Sequence, residues 1–213
     1  MKAGFLIALF AISTAFATAA EEWIRLFNGK DLAGWKANDS SPERFTVADG
    51  MLKTSGGPAH LFFVGTDGKA SFRNFELKAK VMTTPNSNSG IFFHTQFQAE
   101  GFPKQGFEAQ INASEKDRKK TGSLHSILNI LDDPPHKDGE WFDYAIKVEG
   151  RRIILQVNGR TMVDWTQPPD WNPEVTMKKY YPGRRIGDGT IAIQAHDPQS
   201  VVFFKDIFVR QLP

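Results

Sequence analysis

Four short stretches of the 213-residue chain carry side chains whose types and spacing could do chemistry together. In GFEAQIN, residues 106–112, Glu108, Gln110 and Asn112 alternate with Phe107, Ala109 and Ile111. In SGIFFHTQF, residues 89–97, Phe92, His94 and Gln96 share one side, and Ile91, Phe93 and Thr95 the other. TGSLHSIL, residues 121–128, sets Thr121, Ser123 and His125 against Gly122, Leu124 and Ser126. TIAIQAHD, residues 190–197, sets Ala192, Gln194 and His196 against Ile191, Ile193 and Ala195. Successive side chains of a strand point to opposite faces, so each stretch presents one polar face. Water-facing strands are polar by default, but here such faces read ELKAKV or AIKVEG, rich in Lys and Glu. The four stretches instead offer His, Gln, Asn and Glu with almost no Lys. Those short hydrogen-bonding groups suit sugar hydroxyls, and as a set they read as the floor of a site.

Glycosidases of the ordinary kind need two carboxyl groups flanking the scissile bond. This floor offers Glu108 followed by two amides, which disfavours that chemistry unless Asp197 is recruited from a neighbouring strand end. One carboxylate among several histidines suits proton abstraction, and equally a metal held by mixed nitrogen and oxygen ligands. The histidines are scattered, without HxH or HExxH spacing, so the pattern alone points only weakly to a metal. There is no GxSxG elbow, and Ser89 lies in a turn-to-strand context, which argues against a serine hydrolase. The basic run EKDRKKTG, residues 115–122, reads as a solvated loop from which Lys120 could reach a ligand.

The elements that must hold these groups are strands from end to end. FTVADGMLKTS is a hairpin turned at Asp49-Gly50. SFRNFELKAKVM alternates Phe75, Leu77, Ala79 and Val81 with Glu76, Lys78 and Lys80. WFDYAIKVEGRRIILQVNGRTMVDW is three strands with turns at Glu149-Gly150 and Asn158-Gly159. No stretch carries a sustained helical period, so the expected class is all-β, a jelly-roll β-sandwich of two antiparallel sheets. Residues 166–188 form the longest irregular stretch, the kind that serves either as a lid or wall of a site or as a decoration of the fold.

Composition narrows the function classes. Eighteen Phe and five Trp imply a thick aromatic core, with rings to spare for stacking on a ligand. A net charge of +2 gives no reason to expect nucleic acid or an anionic membrane as partner. With no cysteine, disulfides, thiol catalysis and a lipidated cleavage site are ruled out. Lys2, an apolar run from Gly4 to Ala17 and small residues after it read as a signal peptide over residues 1–20. That run is too short to span a membrane comfortably. The expectation is therefore a periplasmic or secreted protein, with residues 21–213 forming one domain.

LFNGKDLAGW, SNSGIFFH, GFEAQIN, KKTGSLHSI, DGEWFDYAIKVEGRRIILQVNG and GTIAIQAHDPQSVVFFKDIFV occur in this order. Together they resemble the bacterial 3-keto-disaccharide hydrolase domain family, also described as 3-keto-glucoside-1,2-lyase/3-keto-2-hydroxy-glucal hydratase domains. The resemblance spans about Glu22 to Leu212 and implies a concanavalin A-like jelly-roll. It also implies a substrate oxidised at C3: a 3-keto di- or oligosaccharide or glycoside, supplied by a sugar 3-dehydrogenase. Its C2 proton is removed, the glycosidic oxygen is eliminated, and water adds to the 2-hydroxy-glucal. On that basis Glu108 and His94 are the expected base and its partner, or the ligands of an enolate-stabilising divalent metal. His196 and His125 are further candidates for proton transfer. Asn88, Gln110, Asn112, Lys120, Gln194 and Asp197 are expected to bind substrate, with Trp141 stacking on a ring. The competing class is a non-catalytic, lectin-like module of the same fold.

Overall fold

The computed structural model describes residues 22–38, 41–177 and 181–213. The expected leader, residues 1–20, lies outside them. Thirteen strands are described, in chain order β1 Ile24–Arg25, β2 Trp35–Ala37, β3 Phe45–Ala48, β4 Met51–Ser55, β5 Ala59–Phe63, β6 Phe75–Thr83, β7 Asn88–Thr95, β8 Phe107–Asn112, β9 Phe142–Glu149, β10 Arg152–Val157, β11 Arg160–Thr166, β12 Thr190–Ala195 and β13 Val201–Gln211. They form two antiparallel sheets, as the alternation predicted. The larger runs β11-β10-β9-β6-β13-β4-β3, with β1 also pairing β13; the smaller runs β2-β5-β12-β7-β8.

The hairpin turns form where their residue types place them. Asp49 and Gly50 both take positive φ, as do Asn158 and Gly159, the backbone that a two-residue turn between right-twisted strands requires. Between the sheets, alternate residues of facing strands interdigitate. Phe75, Leu77 and Val81 of β6 and Tyr144, Ile146 and Val148 of β9 meet Ile91 and Phe93 of β7 and Phe107 and Ile111 of β8. These side chains are almost wholly buried. Each contributes roughly 1.5–3 kcal/mol of transfer free energy, which is how a cysteine-free chain can hold a rigid sheet.

The opposite face of the smaller sheet is also covered. Phe62, Phe92 and Ala192 form a second apolar cluster there, under Phe97 and Val64. This outer face of β5, β12, β7 and β8 carries the polar residues singled out above. β8 is one edge strand of this sheet. The stretch predicted as a strand over residues 121–128 is instead an irregular segment laid along that edge. Gln110 N–H donates to Ser123 O, and His125 N–H to Glu108 O, at 3.0 and 2.9 Å.

Candidate active site

Glu108 and Gln110 stand on the outer face of β8, and the register places Phe92 beside Glu108 and Gly90 beside Gln110. Gly90 is what makes room for the carboxylate: a Cβ there would lie 2.7 Å from Glu108 Oε1. Across the sheet, Gln194 of β12 and His196 just beyond it complete the floor. These residues, with Asn88, His125, Tyr181, Arg184, Phe102 and Asp117, line one cavity of about 420 Å³, within the range of small-molecule sites.

Glu108 is 7% exposed and Arg184 4%. Arg184 Nη2 donates to Glu108 Oε2 at 3.3 Å, and His125 Nδ1 lies 3.6 Å from the same oxygen. The Arg184 guanidinium also stands over the Tyr181 ring, 4.6 Å from its centroid, and the His125 ring packs edge-on to Tyr181. Burial lowers the pKa of His125, with the charge of Glu108 opposing, so the imidazole is neutral at pH 7. Burial likewise lowers that of Arg184, against the pull of Glu108.

Arg184 was not visible in strand periodicity, because it comes from the long irregular stretch. Two glycines bring it in. Gly106 N–H donates to Gly183 O at 2.9 Å, and a Cβ on Gly183 would stand 2.0 Å from Lys104 O. Only glycine permits that approach, and it leaves the next residue, Arg184, directed at Glu108. A Pro-Gly-Arg-Arg sequence inside a long loop was the available signal, and the wall expected of residues 166–188 is supplied by Tyr181 and Arg184.

Along the floor, Gln110 Nε2 donates to Asn88 Oδ1 at 3.0 Å, and Asn88 Nδ2 to Glu115 Oε2 at 3.4 Å. His196 Nδ1 and Asp197 Oδ2 are 2.9 Å apart. Burial opposes ionisation of Asp197, but hydrogen bonds from Ser200 and His196 outweigh it and hold its pKa below the usual value. Asp197 itself lines an adjoining cavity that meets the first at His196.

Four expected site residues lie elsewhere. His94 takes a positive φ of 56° where the β7–β12 register shifts, so the bulge turns its ring away from Glu108. The ring packs on Phe75 and Phe93 and bonds Arg73 O through Nε2 at 2.8 Å. His94 and Glu108 thus open into different cavities and are not partners in proton transfer or metal binding. Asn112 ties down its own loop, donating to Asp117 O and Lys119 O. Lys120 Nζ is taken by Glu115 O at 2.7 Å. Trp141 lies beside the larger sheet under Lys205 of β13. Conversely, Asp117 was missed. It reaches the cavity mouth, paired with Lys119 Nζ at 3.3 Å. Among the described residues no three carboxylate or imidazole groups converge as a metal cradle would require.

A buried carboxylate flanked by a guanidinium and an imidazole, on an amide-rich floor, makes this jelly-roll sandwich a protein with a polar small-molecule cavity on one sheet. Residues 22–210 match the model of the 3-keto-alpha-glucoside-1,2-lyase-like domain, and the chain belongs to that family. It is 23% identical to a 3-keto-disaccharide hydrolase of Bacteroides thetaiotaomicron, over 91% of this chain and 79% of that one. Among solved structures it is similar to a proposed glycosyl hydrolase of Parabacteroides distasonis, with a TM-score of 0.75 and 22% identity over 90% of this chain and 94% of that one. A carbohydrate-binding module of Bacillus subtilis shares the fold at a TM-score of 0.58 and 13% identity, covering 84% and 96% of the two chains.

Proposed function

We propose that the protein is an exported enzyme that cleaves 3-keto-glycosides by elimination and hydration. The observation that carries this reading is the setting of Glu108, a single buried carboxylate with a guanidinium donor on the same oxygen. A ketone at C3 acidifies the C2 proton. The Glu108 carboxylate takes that proton, and the electron pair moves into the C2–C3 bond and onto the carbonyl oxygen. Arg184 N–H groups are at hand for that developing charge, in a site where such donors are worth most. The pair then returns to expel the C1 oxygen, which takes a proton from His196, held in orientation by Asp197. Water then adds at C1, giving its proton to His196, and the Glu108 proton returns to C2, which yields the free 3-keto sugar and restores both groups. Because this substrate forms by oxidation at C3, an oxidoreductase acting at that carbon must precede the enzyme.

A two-carboxylate hydrolase would need Asp197 as its second group, which instead lines the adjoining cavity beside His196, or else Asp117 at the cavity mouth. Burial alone would raise the Asp117 pKa, but the hydrogen bond and charge of Lys119 lower it overall, which suits a hydrogen-bond acceptor and not a proton donor. The decisive experiment incubates the protein with 3-keto-maltose and with maltose, followed by product analysis. Turnover of the keto sugar alone, with transient 2-hydroxy-glucal, is expected, and Glu108→Gln should lower it by about 10²–10⁴-fold. Turnover of maltose would overturn the mechanism, and binding of 3-keto-maltose without turnover would make the protein a lectin-like module.

A further inference from the structure

His60 has no part in the chemistry above, yet its placement calls for a ligand. It lies on β5, paired in register with Gln194 of β12. The pairs Ala192 with Phe92 and Ile193 with Ile91 put Gly90 on the other side of Gln194, and Gly90 pairs with Gln110. Gln110, Gly90, Gln194 and His60 therefore form one line across four strands of the outer face. Three interstrand steps make that line about 14 Å long, enough for two pyranose rings laid across the strands. Glu108 stands at the β8 end, His196 follows β12 in the middle, and His60 marks the β5 end.

The imidazole of His60 is 1% exposed, and neither ring nitrogen has a hydrogen-bond partner. Beside it, Gln194 Oε1 is also buried and unpartnered. Burying such groups unpaired is unfavourable, and native proteins rarely leave them so. Nothing about packing requires them: the His60 ring sits edge-on between Phe92 and Phe102, both 5.1 Å away, where a phenyl ring would fit as well. Burial, with the nearby His196, pulls the His60 pKa down to about 3. Its ring thus offers one donor and one acceptor, the complement of a sugar hydroxyl. Phe102 covers it while remaining 51% exposed, on a loop braced by Gln98, whose side-chain amide donates to Glu100 O and Phe102 O.

We propose that His60 and Gln194 form a second sugar subsite, for a neutral hydroxylated leaving ring, reached when Phe102 moves aside. This rests on the 3-keto-glycosidase reading for the assignment of the ring as leaving group. The subsite itself does not depend on turnover.

The test is His60→Phe, which removes the orphaned nitrogens and keeps the ring shape. The variant should fold with an unchanged or higher melting temperature, and its KM for 3-keto-maltose should rise about tenfold. KM for methyl 3-keto-α-glucoside, which lacks the second ring, should stay within twofold. Equal effects on both substrates, or on neither, would overturn the proposal. A second measurement covers a variant that fails to fold. In the 15N-histidine spectrum of the wild-type protein, titration with maltose should shift the His60 ring resonances, and their indifference at saturation would refute the subsite. A wild-type protein that turns over neither keto sugar, yet shifts His60 on binding maltose, would overturn the enzymatic reading alone.

Discussion

Glu108 accepts a hydrogen bond from a guanidinium and stands 3.6 Å from an imidazole, so its environment is set by two neighbours that arrive from different parts of the chain. Arg184 lies 76 positions away in sequence and is as buried as the carboxylate it meets. Replacing Arg184 with Lys would keep a charge but lose the planar fork that can serve Glu108 and a substrate oxygen together. We expect Arg184→Lys to lower kcat for 3-keto-maltose by about 10²–10³-fold with a smaller change in KM, measurable by steady-state kinetics. An unchanged kcat would remove Arg184 from the reaction. At this scale the sequence was informative where strands carry the side chain. Glu108, Gln110 and Gln194 reach the cavity that alternation assigned them, as does Asn88, expected from the family resemblance. It was silent on Arg184, because a loop residue has no period and its position depends on backbone contact between two distant glycines.

At the scale of elements, the alternation rule holds along β8 and β12 and breaks at the end of β7. The break is a bulge. His94 adopts a left-handed backbone conformation, the register with β12 slips, and the side chain leaves the floor. No residue type in HTQF announces this, and a Gly or Asn at position 94 would have been a clearer sign. TGSLHSIL shows the converse. It pairs with the edge of β8 without forming a regular strand, and His125 enters the cavity while Ser123 bonds Lys120 O inside its own loop. Besides Asn88 and Phe92, β7 contributes an absence of side chain at Gly90. In Gly90→Ala the new methyl would press on the Glu108 carboxylate, whereas the backbone itself needs no special conformation there. A displacement of the proposed base by about 1 Å costs on the order of 10²-fold in rate. We therefore predict a loss of kcat of that order with a melting temperature little changed. Full activity would show that Glu108 does not need its present position.

For the molecule as a whole, two sheets bury their facing sides, and three histidines are buried with a fourth, His125, partly so. His60, His94, His125 and His136 all have pKa values lowered, burial being the largest cause in each. The unfolded chain therefore binds protons that the folded one refuses. Stability is full above the unfolded value of about 6.5 and falls as the pH drops from there towards 4. His60, with its pKa near 3, accounts for up to about 1.4 kcal/mol per pH unit across that window. Thermal melts from pH 7 to pH 4 should show this decline, less steeply for His60→Phe, and a flat profile would contradict the burial of these rings. The jelly-roll class was legible because turn residues and alternation agree over most of the chain. The same alternation has a consequence for how such a protein changes over generations. In β8 the positions that pack the interior, Phe107, Ala109 and Ile111, are interleaved with those that face the cavity, Glu108 and Gln110. Mutation can then rewrite every second letter of a strand, altering which sugars are accepted, while the letters between continue to specify the same sandwich.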